Sequence, residues 1–183
     1  AYDYLEAAMD NYQEKTIPLS MLYSNAALCL LKMGEKKKAY QYCQKAINAD
    51  PNDVENYLMS GRIYMEDQKP QEAVREWAKA LNMSPYPETW NEIGLICMEI
   101  NQIEYAQVAF EHVKREAPDF EGINERLTSI YLLLHDKENF MKYNKLCKKP
   151  ISQDELKELQ QMMNKEEREE MAKIMKEIFD SLK

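Results

Sequence analysis

The sequence predicts an all-α fold, organised as a solenoid of helix–turn–helix repeats. Three observations carry this prediction. The 183-residue chain is rich in Ala, Leu, Met, Glu, Lys and Gln and holds only four glycines; these residues are strong helix formers. Short β-branched runs between turn clusters, which mark strands, are nearly absent. The third observation is a period of 33 to 34 residues, the spacing of stacked helical hairpins.

The period is visible by self-comparison. "KAINADPND" (45–53) aligns with "KALNMSPYP" (79–87). Ala39, Ala46 and Pro51 are followed 34 residues later by Ala73, Ala80 and Pro85, and after a further 33 by Ala106, Val113 and Pro118. Gly61 and Gly94 are also 33 apart. Tyr23, Tyr57 and Trp90 keep step near the start of each unit, and Trp77 and Phe110 in its second half. Small and aromatic residues at these offsets, closed by a proline, resemble the tetratricopeptide repeat. That resemblance implies a right-handed α-solenoid.

In chain order, residues 1–19 form a partial repeat: Ala1, Leu5 and Ala8 match the second helix of a repeat whose first helix is missing. Together with a start at Ala1 rather than Met, this points to an excised fragment or a processed product. Repeats follow at 20–53, 54–86 and 87–120. A degenerate repeat at 121–150 keeps Leu127, Tyr131 and Cys147 at packing positions, with Phe140 in place of the small residue of its second helix. In the intact repeats, Ala27, Gly61 and Gly94 let the first helix approach the second, and Ala39, Ala73 and Ala106 do the same from the other side. Cys43, Trp77 and Phe110 fill the gaps. One hairpin cannot bury its apolar face alone, so neighbours must stack. Each proline stops a second helix, since a proline inside a helix costs about 3 kcal/mol.

Residues 151–183 are expected to cap the array. "SQDE" (152–155) is a capping box, followed by Leu156, Leu159 and Met163. "NKEEREE" (164–170) has no apolar residue, and Met171, Ile174, Met175, Ile178, Phe179 and Leu182 then make a helical stripe. This predicts one long helix with an exposed waist, or two helices broken near Asn164. The cap needs only 151–163, so the 171–182 stripe is a candidate for self-association, for contact with a missing segment, or for occupying a groove.

Composition excludes several function classes. A formal charge of −8 argues against nucleic acid, whose phosphates need clustered Lys and Arg. The one basic run, Lys36-Lys37-Lys38, is short, lacks interleaved aromatics and reads as a solvated helix edge. No apolar run approaches the roughly 18 residues of a membrane span. Cys29, Cys43, Cys97 and Cys147 form no CxxC pair. Three of them fall on packing positions and Cys29 lies beside one, so they read as small buried hydrophobes in a reducing, cytoplasmic setting. His112 and His135 lack partners at metal-ligand spacing, and His135 stands where the family often has glycine. Glycine-rich phosphate loops are absent. No catalytic constellation, metal site or cofactor is expected.

The expected site is therefore a surface. The resemblance implies that ligand contacts come from the concave face, at recurring places of each first helix. Here those places hold a ladder of Met21, Leu28, Leu31, Leu58, Met59, Met65, Leu95 and Met98, with Asn25, Arg62 and Asn91 among them and acids at the rim. Some members of the family hold acidic chaperone tails with a carboxylate clamp, and Asn25 matches its asparagine. The clamp's next-repeat Lys and Arg are replaced by Glu55 and Met59. Two like charges 4 Å apart cost about 4 kcal/mol at an effective dielectric of 20, so the clamp is rejected. What remains is a non-catalytic scaffold or adaptor that takes an apolar or amphipathic protein segment, basic on its polar side. The alternatives are that the ladder only fills interfaces between first helices, that it shields hydrophobic clients in a chaperone-like way, or that the array regulates a larger enzyme.

Overall fold

The computed structural model describes residues 2–10, 18–152 and 154–155. Among these there are nine α-helices and no strand: α1 (Tyr2–Asp10), α2 (Leu19–Lys32), α3 (Lys36–Ala49), α4 (Val54–Glu66), α5 (Pro70–Met83), α6 (Pro87–Glu99), α7 (Ile103–Glu116), α8 (Ile123–Leu133) and α9 (Lys137–Asn144). The chain divides into two compact units, Ala1–Ile100 and Asn101–Lys183.

In the first unit α2 packs on α3 and α4 on α5, as two helical hairpins, with α6 following. The core is built from the small residues of the period. Ala27, Ala39, Cys43, Ala46, Ala73 and Ala80 have no exposed surface, and Leu30, Ile63 and Trp77 close around them. At Gly61 a Cβ would overlap the Trp77 indole, so α4 and α5 approach only because Gly61 has no side chain. Asn56 is fully buried and donates to the carbonyls of Ala46 (3.2 Å) and Asp50 (3.0 Å). It thereby satisfies the end of α3 from the first turn of α4.

The helix ends follow from local chemistry. The residues before Pro51, Pro85 and Pro118 leave the helical region, Asp50 at φ −144°, Ser84 at −138° and Ala117 at −136°. A following proline disfavours α geometry in this way. First helices end differently, at a left-handed residue: Gly34 at φ +81°, Gln68 at +59° and His135 at +57°. Each makes the paired closing bonds of a Schellman motif, such as Gly34 N–H to Leu31 O and Glu35 N–H to Leu30 O, both 2.9 Å.

The second unit is held by Ala106, Ala109, Phe110 and Val113 of α7, Leu127, Ile130 and Tyr131 of α8, and Phe140 and Tyr143 of α9, all buried. Tyr131 and Tyr143 stack with centroids 5.5 Å apart and planes 1° from parallel. Tyr131 also donates its hydroxyl to Glu111. Burial, and then that bond, push its ionisation above the ordinary tyrosine range. Asn144 and Ile151 exchange two hydrogen bonds, 2.7 and 3.1 Å, which tie the chain after α9 back to its end. The Ser152–Glu155 capping box forms reciprocally, with Ser152 N–H to Glu155 at 2.7 Å and Glu155 N–H to the Ser152 hydroxyl at 3.3 Å. The rest of the C-terminal expectation, including the 171–182 stripe, lies outside the described residues, as does the side chain of Ala8.

Candidate functional site

The four cysteines are free thiols. Cys43 and Cys97 are buried, and burial pushes both thiols up to about 12. Cys29 and Cys147 depart from the expectation of buried hydrophobes: both are half-buried, and Cys147 lies 3.3 Å from the Thr128 hydroxyl and donates to Tyr143 O. Desolvation still raises its thiol. Thiolate chemistry needs the opposite shift. Among the described residues no group of His, Cys, Asp and Glu could hold a metal ion. No helix there is long and apolar enough to cross a membrane.

The site that does form is a recess of about 480 Å³ lined from α2, α4 and α6. All but two of its residues stand at the recurring places of three first helices where ligand contacts are expected. Met21, Asn25, Leu28, Leu58, Met59, Arg62 and Leu95 all line it. Leu58 is buried and forms floor, whereas Met21 is half exposed. Helical spacing explains the convergence: Met21, Asn25 and Leu28 are three and four apart, as are Leu58 or Met59 and Arg62. Four residues expected there stand elsewhere. Leu31, Met65 and Asn91 are buried at 4%, 3% and 6% exposure, so they serve packing rather than a ligand surface. Met98 is half-buried and does not line the recess.

Charge distinguishes this recess. Asp53, Glu55, Glu92 and Glu99 line it against the single cation Arg62. Arg62 is already committed: its Nη1 is 2.7 Å from Glu99 and its Nε 3.2 Å from Glu66. Glu55 ionises above the ordinary carboxylate range because it is partly withdrawn from water, with Glu92 and then Asp53 adding repulsion. A carboxylate ligand beside Asn25 would therefore meet acids and, within the recess, no uncommitted cation. Asp53 and Ile96 also line the recess and were not among the residues expected from the repeat. Asp53 is the N-cap of α4, its carboxylate accepting from Glu55 N–H at 3.1 Å; capping residues precede the helix and fall outside its facial register.

The family model described as Tetratricopeptide repeat matches residues 20–53, the hairpin of α2 and α3. That hairpin matches a single tetratricopeptide repeat. Sperm-associated antigen 1 of Mus musculus is 32% identical over 84 residues, 45% of this chain and 9% of its own length. The DnaJ homolog subfamily C member 7 homolog of Dictyostelium discoideum is 29% identical over 85 residues, 46% of this chain and 16% of its own length. The chain thus matches only a small part of these much longer relatives. Among solved structures, a thermophilic tetratricopeptide repeat protein of Thermus thermophilus superposes with a TM-score of 0.57 at 15% identity, covering 79% of this chain and 78% of that one. YrrB, described as a tetratricopeptide repeat protein with an unusual peptide-binding site, gives 0.55 at 17% identity, covering 97% and 93%. These likenesses bear on fold, and they agree with the helix–turn–helix class that the period predicts.

Proposed function

We propose that this tetratricopeptide repeat array is a non-catalytic protein-interaction module. It takes an amphipathic segment of a partner protein in the recess between α2, α4 and α6. One observation carries this reading: an apolar floor of Leu28, Leu58, Met59 and Leu95 with four carboxylates around one committed guanidinium. The floor favours aliphatic or aromatic side chains, and the carboxylates favour Lys or Arg beside them. Methionine at Met21 and Met59 lets the floor adapt to side chains of different shape. YrrB, as a peptide-binding repeat protein, supports a peptide as the kind of ligand. Four free thiols support a reducing, cytoplasmic setting.

The test is selection of a random peptide library on the intact chain. Enriched peptides should pair apolar residues with Lys or Arg, and Met21→Glu or Glu92→Lys should each weaken their capture. Enrichment of acidic peptides, or capture unchanged in both variants, would overturn the reading. A second reading, in which the array serves a chaperone, is favoured by the DnaJ homologue among its relatives. Suppression of the aggregation of an unfolded client, with no enriched peptide motif, would select it instead.

A further inference from the structure

The structure holds a second recess, with none of its lining shared with the first. It measures about 640 Å³ and is lined by Lys36, Lys37, Tyr40 and Gln41 of α3, Ile63 and Tyr64 of α4, and Asp67 and Lys69 of the turn that follows. This volume is in the range of small ligand pockets, roughly 300–1,000 Å³. Its charge is opposite to that of the first recess. Three lysines line it with one carboxylate, in a chain whose formal charge is −8.

The partners of these lysines are few. Asp67 serves two of them, at 2.6 Å from Lys69 and 4.0 Å from Lys36. The Lys69 ammonium, aided by Lys36, holds the Asp67 carboxyl below its ordinary range. Lys36 also donates to the Glu66 carbonyl at 2.5 Å. Lys37 makes no ion pair among the described residues, while Lys38 turns away to Glu35 at 3.5 Å. Glu72 and Glu76 act on Tyr64 from α5 but do not line the recess.

The walls are aromatic. Tyr40 and Tyr64 meet edge to face with centroids 5.4 Å apart. The Tyr64 hydroxyl donates to that of Tyr40 at 3.0 Å. The two hydroxyls thus form a polar pair beside the rings. The cations are all ammonium groups, which act as mobile point charges rather than as a planar fork for one oxyanion. Such a set suits carboxylates spaced along a flexible chain, with an apolar side chain against Ile63 and the tyrosine rings.

We propose that this recess is a second docking site, for an acidic peptide segment that carries Asp and Glu around an aromatic residue. The module then holds two segments of opposite charge, one in each recess. The probe is a fluorescein-labelled peptide with a single Phe flanked by Asp and Glu, titrated against the intact chain by anisotropy. Saturable binding is expected, weakening as salt rises above about 0.1 M. Lys37→Glu should weaken it by about fivefold, on the scale of one surface charge contact. Tyr40→Phe, which keeps the ring and removes the hydroxyl, should weaken it by a smaller factor. A basic peptide selected on the first recess should not displace the probe, which separates this site from that one. Absence of saturable binding, binding unchanged in both variants, displacement by the basic peptide, or equal competition by inorganic phosphate would each overturn the proposal.

Discussion

The Trp77 indole lies across the space that a side chain on Gly61 would need, and its Nε1 donates to the Leu58 carbonyl at 3.2 Å. One glycine thus sets the distance between α4 and α5, and through Leu58 the position of the recess floor. Gly61→Ala should lose about 1–3 kcal/mol, the usual penalty for overpacking, read from the urea midpoint. A wild-type midpoint would show that Trp77 can move aside and that the close approach is not required.

The left-handed helix ends carry a second prediction. Gln68 and His135 occupy the conformation that Gly34 adopts without strain. A side chain there costs roughly 1–2 kcal/mol, part of which glycine returns through its freer unfolded state. Gln68→Gly and His135→Gly should each stabilise the chain by about 1 kcal/mol, and Gly34→Ala should destabilise it by a similar amount. Thermal melts of the three variants check the signs.

Much of this fold is legible in the chain because its determinants are local or periodic. Ala39 and Ala73 lie at fixed offsets, and Pro51, Pro85 and Pro118 each stand two residues past the end of a helix. His135 betrays its conformation by occupying a place where the family often has glycine. The site is less legible. Leu31 and Met65 are apolar residues on first helices, as Leu28 and Leu58 are, and only packing sends them to the core. Asn56 gives no sign in sequence that it caps α3 from α4, a relationship made by the turn between them. The basic run at Lys36 lacks aromatics along the chain, so it reads as a solvated edge. Folding brings Tyr64 from α4 against Tyr40, and the edge becomes the wall of a recess.

The raised titration of Glu55 gives a pH prediction. Its neutral form is favoured in the folded chain by desolvation and by Glu92. Its contribution to stability is therefore greater on the acid side and declines as pH rises through its raised titration. Binding runs the other way. A basic side chain in the recess favours the ionised form, so affinity for a selected basic peptide should fall as pH drops through that range. Glu55→Gln should flatten this profile and weaken binding at neutral pH by about fivefold, the scale of one exposed ion pair. Titration of the peptide at several pH values, in both proteins, checks the prediction.

The most direct measurement of the central claim is backbone amide chemical-shift mapping of the intact chain with a selected basic amphipathic peptide. The account predicts that the perturbed amides fall on α2, α4 and α6, around Met21, Asn25, Leu28, Met59, Arg62 and Leu95. Perturbations confined to other helices, with these amides unmoved at saturation, would contradict it.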